Sequence, residues 1–339
     1  MKFRRTLFGA SLLVVQPLLL NLLSLPATAY IIAVLGPSDY GQWGIALALT
    51  MTSGALTNLG TRSYFVRRVA QDPTHAQEAF AEHLGVRSVL SLTAGATAAI
   101  ACVLLGYPST VVQCTAILAL STFFTATTTS VSDLLQASER LPAMASINFV
   151  AGLLLTAASV AVMFLGWGPV ALAWAYVLGP ALSALCSLVV VQRTLFPVRV
   201  CLNTGRYLAV LKDCRFMGLQ QIVYTIGAQA ENLLVPKMVS ITEYGYFAAG
   251  TLLAKRMEVV PDALSTAFYP IMVKQYRQGS PEALKTVKKF VTLAFGLCVP
   301  AAIVGFVLAH PIAQILFSEN PALCAVVIQI TVWTVPLLA

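Results

Sequence analysis

Four ionisable residues, Lys255, Arg256, Glu258 and Asp262, fall inside one apolar stretch between Tyr244 and Tyr269. On a helix Lys255 and Glu258 are three apart and Glu258 and Asp262 four apart, so the three share one broad face; Arg256 is rotated about 100° from Lys255. Charges within an apolar span are expensive unless water or a partner meets them. The group therefore predicts the polar wall of a hydrated cavity. The competing reading is a self-neutralising set of ion pairs near a span end, with the long side chains reaching water. Glu231 follows Gln220, Gln221, Tyr224, Thr225 and Gln229, too polar a series for a helix facing lipid, and is expected to line the same cavity. Gln16 and Asn21 could line it too, or hydrogen-bond another helix. Asp133, behind Thr125, Thr127, Thr128, Thr129 and Ser130, reads as a helix-end or packing residue, and His75, His83 and His310 as solvated histidines. Pro17, Pro26 and Pro261 permit bends. No phosphate-cradling glycine loop with lysine, exposed carboxylate pair or metal-ligand spacing occurs, so the sequence calls for no cofactor and gives an enzyme nothing to work with.

The elements that hold these residues follow from composition. The chain has 339 residues, 58% hydrophobic and 10% charged, with mean hydropathy +0.82, outside the range of soluble domains. No charge occurs between Arg87 and Asp133 or between Arg140 and Arg193, each about twice the roughly 20 residues that cross a bilayer. Gly106-Tyr107-Pro108-Ser109 and Gly166-Trp167-Gly168-Pro169 break them, so each reads as a helical hairpin. Continuous apolar runs exclude a strand barrel. The run from Leu7 to Leu35 is too long for a cleaved signal peptide. Ten spans are predicted: Leu7–Leu35, Gly41–Leu59, Ser88–Leu105, Val111–Leu134, Ser146–Leu165, Pro169–Val191, Phe216–Val235, Tyr244–Tyr269, Phe290–Leu308 and Ala322–Leu338. The seven cysteines form no disulfide framework: Cys102, Cys186 and Cys298 lie in spans, and Cys201 and Cys214 in a loop expected in the cytoplasm.

On this span plan, eighteen of the 21 Lys and Arg residues fall in one set of connections, only Lys237 in the other, and Lys255 and Arg256 within a span. That bias places the amino terminus in the cytoplasm. The net charge of +8 then needs no nucleic-acid partner, since cations at the cytoplasmic face meet anionic lipid headgroups. The segment 62–86 could form an amphipathic surface helix with Tyr64, Phe65, Val69, Phe80 and Leu84 on its apolar side. Tyr207, Leu208, Val210 and Leu211 could do the same in the middle loop.

Ser38-Asp39-Tyr40-Gly41 recurs as Thr242-Glu243-Tyr244-Gly245, 204 positions on (242 − 38 = 204), and Val69-Ala70-Gln71 falls on Val273-Lys274-Gln275. Each copy has an apolar run, a short acidic turn, a second apolar run and a basic segment, which points to a duplicated membrane bundle. Six spans separate the copies, so the repeat is parallel. The expected plan is an all-α membrane protein of about ten transmembrane helices in two parallel-repeat lobes. Residues 1–200 form the first six-helix lobe, 201–215 a cytoplasmic loop, and 216–339 a second lobe that is incomplete at four helices, as if truncated.

Leu35-Gly36-Pro37-Ser38-Asp39-Tyr40-Gly41, followed by Asn58-Leu59-Gly60 and the basic Arg62, Arg67 and Arg68, resembles the polysaccharide-export flippases. These are the O-antigen (Wzx-type) translocases of the multidrug/oligosaccharidyl-lipid/polysaccharide exporter superfamily. Thr242-Glu243-Tyr244-Gly245 with Phe247-Ala248-Ala249 looks like the turn of the family's second lobe, and His310-Pro311-Ile312-Ala313 with Ile315-Leu316-Phe317 like the segment after its ninth span. The uncharged first span argues against the peptidoglycan-precursor branch. The resemblance implies a bacterial inner-membrane protein that exports undecaprenyl-diphosphate-linked oligosaccharide for surface polysaccharide. Its first, second, seventh and eighth spans would line the cavity, with membrane lipids, a polysaccharide polymerase and glycosyltransferases as partners. Lys255 and Arg256 would then contact the anionic head, and Arg62 would capture it at the cytoplasmic mouth. A cation-coupled multidrug antiporter using Glu231 or Glu258, a major-facilitator transporter and a non-transporting assembly protein are the alternatives. Thr61-Arg62-Ser63-Tyr64-Phe65 after the second span lacks the major-facilitator loop signature.

Overall fold

The computed structural model describes residues 2–138, 140–199, 204–258, 282–317 and 320–338, with Pro261, Leu264, Ser265, Phe268, Met272 and Gln275. Asp262, Cys201, Lys274 and Arg277 lie outside the described residues. The long elements are α1 (Lys2–Asn58), α2 (Thr61–Gln71), α3 (Ala76–Leu104), α4 (Ser109–Ala137), α5 (Leu141–Phe164), α6 (Pro169–Thr194), α7 (Thr204–Met238), α8 (Ile241–Met257), α9 (Glu282–Leu316) and α10 (Pro321–Thr331). Among the described residues, six helical segments are long and apolar enough to cross a membrane, and the first, Leu19–Gln71, holds most of the expected first span and all of the second. The chain is a multi-pass all-α membrane protein.

Two expected features take a different form. The acidic turn at Ser38 is no loop: α1 runs through it, interrupted only at Gly36, whose φ of 69° and ψ of 174° suit glycine alone. Pro37 then restarts the helix, its missing N–H harmless in a first turn. The expected loop 201–215 is helical from Thr204 onward and continuous, in α7, with the predicted span Phe216–Val235. It folds onto the bundle because Tyr207, Val210 and Cys214 are buried, Tyr207 against Val86 and Leu90.

Packing divides the chain into two compact units: Met1–Leu13 with Gln42–Ser240, and Val14–Gly41 with Ile241–Ala339. These cut the chain differently from the expected lobes, which follow sequence order.

In the first unit, α2 lays Thr61, Phe65 and Val69 into the core, an i, i+4, i+8 stripe. Phe65 and Val69 pack in one cluster with Phe80, Leu84, Val131, Leu134, Leu135 and Val191. α3 begins at Ala76, twelve positions before the predicted span at Ser88 (88 − 76 = 12), because Phe80 and Leu84 extend its buried face. The hydroxyls of Thr127, Thr128, Thr129 and Ser130 on α4 donate to carbonyls three or four residues earlier, which satisfies them without another helix.

In the second unit the two copies of the repeated turn touch. A Cβ on Gly41 would overlap the Ile241 carbonyl, and a Cβ on Gly245 would overlap the Pro37 carbonyl. Positions 37 and 241, like 41 and 245, differ by 204, so the contact is reciprocal in the repeat's own register. The breaks match as well: Gly36 in α1 corresponds to Ser240 between α7 and α8 (36 + 204 = 240). Both turns therefore sit at one end of this unit, as a parallel repeat requires. Gly41→Leu and Gly245→Leu are each expected to destabilise the protein by about 1–3 kcal/mol, because a backbone carbonyl cannot rotate away from the new side chain. Melting temperature in detergent is the measurement; an unchanged value for both would show that this crossing is loose.

Candidate functional site

The second unit contains the outlying cations. Arg256, near the end of α8, is part-buried, and its Nη1 donates to Oδ1 of Asn21 and, at 3.0 Å, to Oγ of Ser24 on α1. Asn21 and Ser24 are three apart and face the same way. Ser24 Oγ also donates to the Asn21 carbonyl, so one turn of α1 is shaped around the guanidinium. Arg256 makes no ion pair among the described residues. Counted from Gly245 at 1.5 Å per residue, it lies roughly 16 Å along α8 from the crossing of the turns. A full cation held by two neutral oxygens keeps donors for an anion. Lys255 and Glu258 are half-buried on the same turn of helix, where the Glu258 N–H donates to the Lys255 carbonyl at 3.2 Å.

The other two expected site residues lie in the first unit. Glu231 is half-buried on α7, beyond a polar stripe in which Gln221 donates to Thr225 and Asn232 to Gln229. The spacing keeps these groups on one face, as expected of a helix that does not turn all sides to lipid. Arg62 is committed elsewhere: its Nε is 3.0 Å from Asp133 Oδ1, and its Nη2 donates to Gln136 at 2.9 Å. The structure thus brings Arg256, Lys255 and Glu258 together at the end of α8 and sets Arg62 and Glu231 on other helices.

Arg62 belongs to a network that the residue pattern did not reveal. Asp133, 3% exposed, accepts from Arg87 Nη1 at 2.8 Å and lies 3.4 Å from His83 Nε2. His83 is buried, not solvated as expected, because its ring stacks on Phe65 at 4.2 Å between centroids. Beside it buried Glu82 accepts from Arg68 at 2.6 Å and from Arg206 at 2.7 Å. Two carboxylates therefore tie α2, α3, α4 and α7 together at one end of the unit. Arg140 donates to the Thr194 carbonyl nearby in the fold. Lys237 lies at the opposite end of α3: its ammonium sits 3.9 Å over the Tyr107 ring and donates to the Leu105 carbonyl. The segregation of cations read from the sequence is thus present within this unit. Among the described residues, no three His, Cys, Asp or Glu converge as a metal site.

Solved structures show the fold. An inward-facing multidrug-resistance MATE family transporter of the MOP superfamily aligns with a TM-score of 0.65 at 15% identity, over 95% of this chain and 80% of its own. An outward-facing MATE structure gives 0.62 at 17% identity, over 97% and 78%. A MOP superfamily transporter from Pyrococcus furiosus, described as having a binding pocket of reversed polarity, gives 0.57 at 18%, over 95% and 76%. The chain has the MATE-type membrane transporter fold. It belongs to the polysaccharide biosynthesis protein family whose model matches residues 32–324. No curated protein matches it.

Proposed function

We propose that this chain moves a lipid-linked oligosaccharide, carried on undecaprenyl diphosphate, across the bacterial inner membrane for surface polysaccharide synthesis. The observation that carries the reading is Arg256, a cation on α8 whose described partners are the neutral Asn21 and Ser24. A diphosphate supplies the charge that those partners lack, and a guanidinium presents several donors to phosphate oxygens. Lys255 adds a second cation, and Glu258 beside it holds the lysine when substrate is absent. Family membership in polysaccharide biosynthesis supports the same cargo. The basic end of the first unit faces the cytoplasm, with the amino terminus there, because anionic lipid and the positive-inside rule favour that side. The two lobes, 1–200 and 216–339, rock to expose the head to the far side while the lipid tail stays in the bilayer. Glycosyltransferases supply the cargo, and a polymerase consumes it.

The MATE-type fold favours one second reading, a cation-coupled antiporter with Glu231 as the exchanging carboxylate. Expression in a strain lacking its own O-antigen flippase separates the two. Restored surface polysaccharide, with unchanged susceptibility to cationic dyes, is expected. Dye resistance with no polysaccharide would favour the antiporter.

A further inference from the structure

Helix α7 is amphipathic in the inverse sense. Its polar residues Gln221, Thr225 and Asn232 are half-buried, and Gln221 and Asn232 donate within the helix to Thr225 and Gln229. Phe216, Leu219, Val223 and Ile226 are between 52% and 73% exposed. At about 100° per residue these four lie within an arc of roughly 80°, and the three polar residues are centred roughly 160° from them. A helix in water hides its apolar side. Turning four large apolar side chains outward while the amides face inward is favourable only where hydrocarbon covers the outer side. The same face ends in cations. Lys212 and Arg215 are exposed, each one turn before a member of the stripe, Phe216 and Leu219 respectively. The Arg215 guanidinium lies 4.8 Å over the Phe216 ring, which keeps its charge at the edge of the apolar surface. Neither cation makes an ion pair among the described residues. Asp213 projects about 100° from Lys212 and lines a separate cleft with Arg67 and Arg68. Behind the cations Tyr207, Val210, Cys214 and Gly218 form the buried face of this turn, so Lys212 and Arg215 are held outward on a fixed backbone.

We infer that this face of α7 binds an anionic phospholipid of the bilayer, its phosphate on Lys212 and Arg215 and an acyl chain along Phe216, Leu219, Val223 and Ile226. Two unpaired cations side by side match a phosphate that carries net negative charge, and the guanidinium offers it several donors. A zwitterionic lipid would bring its own ammonium against them. The stripe has the length that an acyl chain needs. From Phe216 to Ile226 is ten residues (226 − 216 = 10), roughly 15 Å of helix and about the hydrocarbon depth of one leaflet. The site lies wholly in the first unit and stands whether or not the chain transports oligosaccharide.

Native mass spectrometry of the delipidated, purified chain tests it with phosphatidylglycerol, phosphatidylethanolamine and undecaprenyl phosphate as separate probes. The unmodified chain is expected to retain phosphatidylglycerol over phosphatidylethanolamine by about tenfold or more, the effect of two cations at the membrane surface. Lys212→Gln with Arg215→Gln should abolish that preference. Lys285→Gln with Lys288→Gln, which removes as many exposed cations from the start of α9 in the other unit, should keep it. Leu219→Asn with Val223→Asn leaves both α7 cations in place and should retain about tenfold less phosphatidylglycerol, through lost apolar contact alone. Equal loss in the two Gln pairs, full retention by the Asn pair, or retention of undecaprenyl phosphate without phosphatidylglycerol would overturn the proposal.

Discussion

Asp133→Ala is expected to destabilise the protein by about 3–5 kcal/mol, because it leaves buried guanidinium charge without its counter-ion. Asp133 is 3% exposed and meets Arg62 at 3.0 Å and Arg87 at 2.8 Å. Arg87 is itself 5% exposed, and its Nε is buried with no hydrogen-bond partner among the described residues, so little else compensates its charge. For a unit of this size each kcal/mol corresponds to roughly 2–4 °C, so the melting midpoint in detergent should fall by roughly 10 °C. Asp133→Asn keeps one acceptor and should fall less. Removing both charges, in Asp133→Leu with Arg87→Met, should recover much of the loss, since a buried pair replaced by apolar groups is often near neutral. An unchanged midpoint in the Ala variant would show that the network is solvated and that it does not join α2, α3 and α4.

Arg256→Ala is expected to lower oligosaccharide transport by about 10- to 100-fold, the range of one or two charge-assisted hydrogen bonds to substrate. Protein abundance should change little, because Asn21 and Ser24 are part-buried neutral groups that water can satisfy. Arg256→Lys should retain more activity than Ala, since it keeps the charge and loses the fork. Asn21→Ala should have a smaller effect, acting through the orientation of Arg256. Surface polysaccharide measured beside immunoblotted protein distinguishes transport from folding. Normal polysaccharide in the Lys255→Ala, Arg256→Ala double variant would remove both residues from the substrate path.

Much of this was legible in the residues. Arg256 stood out because a charge in an apolar run needs a reason, and Asn21 because the first span has few polar groups. Ser24 gave no such signal: small hydroxyls in membrane helices usually satisfy themselves on their own backbone, as Thr28 does on the Ser24 carbonyl. The repeat predicted that Gly41 and Gly245 are equivalent; their mutual contact depends on how the chain packs and could not be read from period alone. Glu82, His83 and Arg87 were hidden because they sit where a basic connection enters a span, and charge at such a boundary reads as solvated. Asp133, the partner of His83 and Arg87, is 46 residues from Arg87, beyond the reach of helical periodicity. The signal available was local: Phe80, His83, Leu84 and Arg87 recur at intervals of three and four, the pattern of one buried helix face.

Transport itself is tested most directly in proteoliposomes that contain this chain and an undecaprenyl-diphosphate-linked oligosaccharide. Loss of the sugar to a membrane-impermeant glycosidase reports which leaflet holds the head. Rapid access to sugar placed initially in the inner leaflet is expected with the unmodified chain, and access slowed about tenfold or more with Arg256→Ala. Access no faster than in protein-free vesicles, together with cation-driven export of a dye from the same vesicles, would contradict oligosaccharide flipping by this chain.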